Sequence, residues 1–237
     1  MGSDLQPHPL SPLRKIIAAR MSEAHQAIPH FRAAMDIEMD ALLALRRAYN
    51  ADASTTSATP ITVNDFIVKA SAQALLEVPE LNAEFTDGMI QPHRDADIAV
   101  VLAVEGGLLT PVVRGANRKS VGRIGAEIRE LSERGRRGKL RMEELQGGSF
   151  SISNLGGQGI DEFDAIINAP QVAILAVGAA KARPWVRDGQ LAVATVMRAV
   201  LSMDHRIVDG ASGARFLAAL KDRLESPAPL LEDAHLS

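Results

Sequence analysis

Hydrophobic positions along the chain change period several times, and each change predicts a new element. Ser11-Pro12 ahead of Leu13, Ile16, Ile17 and Met21 reads as an N-cap, a proline at the first helical position and an amphipathic helix to about Ala27, stopped by Pro29. Phe31, Ala33, Met35, Ile37 and Met39 follow with the period of a strand that buries one face, and Asp40 is placed to cap a short helix through about Tyr49. Asn50 to Pro60 is small and polar, the composition of a loop, and Val63 to Val78 returns to helical spacing until Pro79.

Asn82 to Phe85 and Met89 to Gln91 flank Thr86-Asp87-Gly88, a hairpin signal because a positive φ costs little at Asp-Gly. Ile98 to Val104 and Leu108 to Val113, joined through Glu105-Gly106-Gly107, are nearly continuous apolar runs, as expected of strands covered on both faces near a sheet centre. Ser120 to Arg137 is a capped helix whose Arg-rich end is either a solvated face at a helix C-terminus or a site for phosphate or a partner. The last third reads as a strand near Ser149 to Ser153, another at Val172 to Val177, a hairpin around Asp188-Gly189, a long strand from Leu191 to Met203 and a helix from about Ser212 to Leu224. With no internal repeat or linker, this is one α/β (α+β) unit, a mixed sheet covered by helices.

Composition narrows the chemistry. Of 237 residues 46% are hydrophobic, enough for one large core or two small ones. The 26 Lys and Arg against 29 Asp and Glu give a net charge of −3, so no global field holds nucleic acid or an anionic membrane. There is no cysteine, which removes disulfides and an acyl-cysteine intermediate and suits a cytoplasmic setting. No apolar run reaches the roughly 18 residues of a membrane span. His25, His30 and His93 do not fall in a metal-ligand spacing, so no metal is assigned.

Two segments hold the candidate chemistry. Asp204-His205-Arg206-Ile207-Val208-Asp209-Gly210 places an imidazole at the end of an apolar strand and a carboxylate four residues on, just before a helix. A neutral imidazole, with an ordinary pKa near ~6.5, can take a proton from a thiol near ~8.5 as the sulfur attacks. Equally, His205 can be hydrogen-bonded in the core while Asp209 caps the following helix. Gly147 to Gly157 contains Ser149, Ser151 and Ser153 at alternate positions and ends in glycines that permit close backbone approach. Ser153 can donate to a developing oxyanion, or the segment can be an edge strand with solvent-facing serines. No G-x-S-x-G elbow surrounds Ser153, which argues against a nucleophile.

These segments, with Gly107-Leu108-Leu109-Thr110-Pro111-Val112-Val113 and Asn168-Ala169-Pro170, resemble the catalytic (inner core) domain of dihydrolipoamide acyltransferases, the E2 components of 2-oxoacid dehydrogenase complexes. Arg14-Lys15-Ile16-Ile17-Ala18, Ile28-Pro29-His30-Phe31, Val63-Asn64-Asp65-Phe66 and Pro227-Ala228-Pro229-Leu230-Leu231 agree in order, so the resemblance extends from about Leu13 to Leu231. Met203 to Ala211 looks closer to the acetyl-transferring, pyruvate dehydrogenase members than to the succinyl-transferring ones.

The resemblance implies a chloramphenicol acetyltransferase-like fold with the active site at a trimer interface, where His205 and Ser153 face each other across two chains. It makes His205 the general base, Ser153 the oxyanion donor and Asp209 an ordering residue, with Arg46, Thr62 and Asn154 as contacts to coenzyme A. It implies residues 1–10 as a flexible segment and 11–237 as the catalytic domain, with Leu230-Leu231 an exposed apolar anchor through which homotrimers build a core of about 24 or 60 subunits. The partners implied are a lipoyl domain, absent from this chain, and the 2-oxoacid dehydrogenase and dihydrolipoamide dehydrogenase components. Two alternatives remain, a mainly structural assembly core with branched-chain acyl or little activity, and a chloramphenicol-type acetyltransferase. That branch resembles His-His-x-x-x-Asp-Gly, whereas Asp204 precedes His205 here.

Overall fold

A computed structural model describes residues 8–56, 59–104 and 107–232. The Ser11 hydroxyl accepts from the Arg14 N–H at 3.2 Å and starts α1 (Pro12–Ala27), as its sequence predicts. β1 (His30–Glu38) leads into α2 (Asp40–Thr56), which is longer than the pattern suggested. Asn50 lies inside this helix instead of ending it, because its amide bonds both the C=O and the N–H of Ile61, at 2.9 and 2.8 Å. Nor does Asp40 cap its own helix: its carboxylate accepts from the Thr195 N–H at 3.1 Å and pairs with Arg187, while the Met39 carbonyl takes the first helical bond. α3 (Val63–Glu77) begins with a reciprocal capping box between Thr62 and Asp65.

β2 (Ala83–Thr86) and β3 (Met89–Pro92) form the expected hairpin, with Asp87 at φ 52° and Gly88 at φ 77°. The next two apolar runs each divide. β4 (Ile98–Val100) and β7 (Val112–Val113) lie in the main sheet, whereas β5 (Leu102–Val104) and β6 (Gly107–Leu109) form a separate ribbon, leaving Leu108 half exposed. The expectation of two unbroken central strands is therefore corrected; the Glu105-Gly106 part of their turn lies outside the described residues. α4 (Val121–Arg136) is capped by Ser120. Then come β8 (Phe150–Asn154), β9 (Ala173–Val177), β10 (Lys181–Arg187), β11 (Gln190–Asp204), α5 (Gly210–Glu225) and α6 (Ala228–Glu232).

The main sheet has the order β1-β11-β9-β8-β4-β7, with β10 paired to the first half of β11. β8 is parallel to β4 and β9, and the other pairs are antiparallel. Phe150 and Ile152 face the helical layer, where α3 packs between α4 and α5 and the Phe150 and Phe216 rings lie 5.3 Å apart. The opposite face of β8 is covered by the chain between Leu155 and Gln171, and there Ser151 is buried with its hydroxyl donating to Gln171 Oε1 at 2.5 Å. Ser149 is buried too, so the reading of β8 as an edge strand with solvent-facing serines fails. Leu230 is 1% exposed and Leu231 partly buried, because α6 folds back onto the core; the tail is not the exposed apolar pair expected of it.

Gly178 shows how closely the covering segment is held. A Cβ there would lie 2.0 Å from the Asp161 carbonyl oxygen, and the next residue, Ala179, donates to Ile160 O at 2.7 Å. Because backbone, not a flexible side chain, occupies the space, Gly178→Ala is expected to lower stability by about 1–3 kcal/mol, the usual cost of overpacking; urea unfolding checks it.

Candidate active site

β11 ends at Asp204, and a tight turn follows in which Ile207 and Val208 both donate to the Asp204 carbonyl, at 3.0 and 2.9 Å. His205 stands exposed on this turn. Its N–H donates to Pro29 O at 3.1 Å, its ring lies 4.7 Å from that of Phe31, and Nδ1 lies 3.2 Å from Val208 O. A carbonyl can only accept, so Nδ1 bears the hydrogen and a neutral ring presents an unprotonated Nε2. The turn is anchored from below. Asp204 is 1% exposed, and Arg206 holds it through Nε at 2.9 Å, Nη2 at 2.6 Å and its own N–H at 3.1 Å, with the guanidinium 4.8 Å above the Phe85 ring.

Asp209 has a different task from His205. Its carboxylate accepts from the Ser212 N–H at 2.8 Å and caps α5, and that bond above all holds the carboxyl below the usual carboxylate range.

Ser153 lies near the other end of the sheet. Its register partner on β9 is Ala176, whose partner on β11 is Val200. His205 is thus two strands away, about 10 Å, and roughly 15 Å further along. Ser153 lines two adjoining cavities of about 430 and 350 Å³ that also share Val101, Leu108 and Phe163. Phe163 sits in a covering segment strapped down by charge. Glu162 pairs with Arg198 at 2.6 Å and Arg32 at 2.8 Å, Asp164 with Arg32 at 2.6 Å, and Asp161 with Lys181 at 2.8 Å. Arg198 also grips Asp36 through two bonds of 2.7 and 2.8 Å. The hydrogen bond from Arg198 lowers the Glu162 carboxyl, and that from Lys181 lowers Asp161.

Residues 3–232 match the model of the 2-oxoacid dehydrogenases acyltransferase (catalytic domain) family. The chain belongs to this family. A dihydrolipoyllysine-residue acetyltransferase component of pyruvate dehydrogenase complex from Rickettsia felis is 47% identical over 223 residues. That match takes in 94% of the chain but 54% of the relative, so the chain spans about half the length of this curated relative. Two solved structures, each 33% identical with a TM-score of 0.91, cover 96% of this acyltransferase-family chain and are themselves 94% covered. One is an Azotobacter vinelandii dihydrolipoamide acetyltransferase, the other the cubic core of a pyruvate dehydrogenase multienzyme complex. A chloramphenicol acetyltransferase, 14% identical with a TM-score of 0.53 over 87% of the chain and 94% of its own, shares the fold. The expected fold therefore stands.

Within this acyltransferase domain, of the three weaker site residues only Asn154 is placed beside Ser153. Asn154 lines the larger cavity; its Nδ2 donates to Asn64 Oδ1 at 3.0 Å and its Oδ1 accepts from the Gly156 N–H at 2.9 Å. The Thr62 hydroxyl caps α3 by accepting from the Asp65 N–H, which places it two residues from Asn64. Arg46 is on α2, one turn before Asn50, with its Nε buried and unpartnered. Sequence reasoning gave Asn64 no role and left the strap Asp161 to Asp164 unread, although three acidic residues around Phe163 in an otherwise apolar region were a visible signal. His25 and His30 do approach, with ring centroids 5.8 Å apart. His30 is spoken for: Nδ1 donates to Ile28 O at 2.9 Å and Nε2 accepts from the Ile167 N–H at 3.1 Å.

The Asp209 cap has a signed pH dependence. A carboxyl lowered in the folded state stabilises fully above the unfolded value near ~3.9 and loses that contribution as pH falls through its folded value. Asp209→Ala is expected to melt below wild type at neutral pH, with the gap narrowing below about pH 4, whereas Asp209→Asn retains an accepting oxygen and most of the cap. Melting temperatures of the three proteins between pH 3 and 7 check this.

Proposed function

We propose that this domain transfers an acetyl group between coenzyme A and a dihydrolipoyl thiol, at a site completed by a second copy of the chain. The observation that carries the reading is the placement of an imidazole with a free Nε2 and a cavity serine at opposite ends of one sheet. Neither can reach an atom held by the other within one chain, so a neighbouring protomer, in a homotrimer, has to bring its Ser153 to His205.

In such a site Nε2 of His205 removes the thiol proton as the sulfur attacks the thioester carbonyl carbon. The tetrahedral oxyanion accepts from the Ser153 hydroxyl, and its collapse breaks the original carbon–sulfur bond. The departing thiolate takes back the proton from the imidazolium, which returns the ring to its starting state without an acyl-enzyme. The Azotobacter structure comes from work on a serine, a histidine and an asparagine in the catalytic mechanism of that enzyme. Its histidine follows the serine by 52 residues and precedes the asparagine by four, the spacing of Ser153, His205 and Asp209 here. Asp209 in place of asparagine fits a residue whose work is to cap α5.

Coenzyme A is the proposed thioester carrier, with Arg46, Thr62 and Asn154 toward it and the lipoyl group arriving on a separate lipoyl domain. The cubic core of the related complex supports a cage of trimers serving a 2-oxoacid dehydrogenase and a dihydrolipoamide dehydrogenase. A cytoplasmic location is part of the same proposal.

Thioester formation from acetyl-coenzyme A and free dihydrolipoamide tests the reading. His205→Ala is expected to reduce kcat by about 10²-fold or more, and Ser153→Ala by about 10²- to 10³-fold. No turnover by an assembled wild-type protein with acetyl, succinyl or isobutyryl donors would sink it in favour of a structural core. Co-assembly of the two variants is a sharper check on the shared site: mixed oligomers rebuild intact His205 and Ser153 pairs and recover activity, whereas a site within one chain gives no recovery.

A further inference from the structure

The larger cavity beside Ser153 is about 430 Å³, within the range of roughly 300–1,000 Å³ common for small-molecule sites. Among the described residues lining it Arg136 alone is charged. The two arginines in the last turn of α4 are used differently. Arg134 is held by Glu144 at 2.6 and 2.8 Å and by Glu130 at 3.3 Å, whereas Arg136 has neither hydrogen bond nor ion pair among the described residues.

The helix face that ends at Arg136 leads back to α3. Gly125, Arg129, Ser132 and Arg136 recur at intervals of four, three and four, and so share one side of α4. Gly125 abuts Asp65, Arg129 donates to Pro60 O at 3.0 Å, and Ser132 and Arg136 line the cavity. This face therefore runs from the start of α3, where Thr62 stands, to Ser153. Arg129 Nη2 is also buried there without an acceptor.

We infer that Arg136 binds the phosphate-bearing half of the thioester carrier. The inference rests on the acyl-transfer reading and decides, for the Arg-rich end of α4, between the solvated face and the phosphate site that its sequence left open. A dihydrolipoyl arm is uncharged near its thiols, but coenzyme A bears a diphosphate and a further phosphate. Approaching a chain of net charge −3, that polyanion needs local cations, and a guanidinium forks onto phosphate oxygens. Arg136 supplies such a group at the mouth of the cavity that reaches Ser153.

The test compares the assembled wild-type protein with Arg136→Gln and Arg136→Lys, measuring coenzyme A binding by calorimetry and turnover with acetyl-coenzyme A and with acetyl-pantetheine, which lacks every phosphate. The expected result is a rise of about 10- to 100-fold in Kd and KM for the coenzyme A forms in Arg136→Gln, the size of losing a charge-assisted hydrogen bond. Arg136→Lys should recover part of the loss, and kcat/KM with acetyl-pantetheine should not change. Unchanged coenzyme A affinity in the Gln variant overturns the inference and leaves acyl transfer standing, as does an equal loss with both donors, which marks a structural role. Arg136-dependent binding without turnover supports the site and overturns the acyl-transfer reading; coenzyme A that binds none of the proteins overturns both.

Discussion

β11 runs antiparallel to β9 while β9 runs parallel to β8, and this pairing dictates where chemistry can occur. It sends the chain out of the sheet at His205 on the end where β8 and β9 begin, and brings Ser153 to the end where β8 finishes. No rotamer change spans about 10 Å across the strands and roughly 15 Å along them. A reaction that needs both groups on one carbonyl therefore needs two chains, so oligomerisation becomes a condition of the proposed catalysis.

Each half is stiffened by its own means. The His205 turn hangs from the buried Asp204, whose cost of burial is offset by three donors from Arg206 and by the Phe85 face beneath the guanidinium. The Ser153 half is held by the segment between Leu155 and Gln171, which lacks regular structure over most of its length and is fixed instead by Arg32, Lys181, Arg183 and Arg198. Gly178 lets that segment approach within the distance a side chain would forbid. In the proposed reaction, preorganisation of this kind would hold the Ser153 hydroxyl in place before substrate arrives.

Elements whose signals are local were legible in the sequence. Ser11-Pro12, Ser120 and the two Asp-Gly turns each determine backbone conformation through atoms a few residues away. Features set by distant partners were not. The continuation of α2 past Asn50 depends on Ile61, the outward turn of β5 and β6 on where β8 and β7 pair with β4, and the burial of Leu230 on α6 folding back against α3. The apolar run from Ile98 to Val104 looks the same whether its second half stays in the sheet or leaves it. Candidate chemistry followed the same division. His205, Asp209 and Ser153 stand in short recognisable segments, whereas Asn64 becomes notable only once α3 meets the end of β8.

The treatment of His205 also limits the mechanisms open to it. Its Nδ1 hydrogen goes to the backbone oxygen of Val208, and the nearby carboxylate of Asp209 is committed to the first turn of α5. Orientation of the ring thus comes from peptide geometry, which does not titrate, and not from a carboxylate behind the imidazole. In the proposed reaction, positive charge on the ring has no carboxylate hydrogen-bonded to it among the described residues, so it is best relieved by returning the proton to the departing sulfur. That favours a single shared proton moving out and back between two thiols of similar acidity, the chemistry of thioester exchange, over a scheme that stores charge on a stabilised imidazolium.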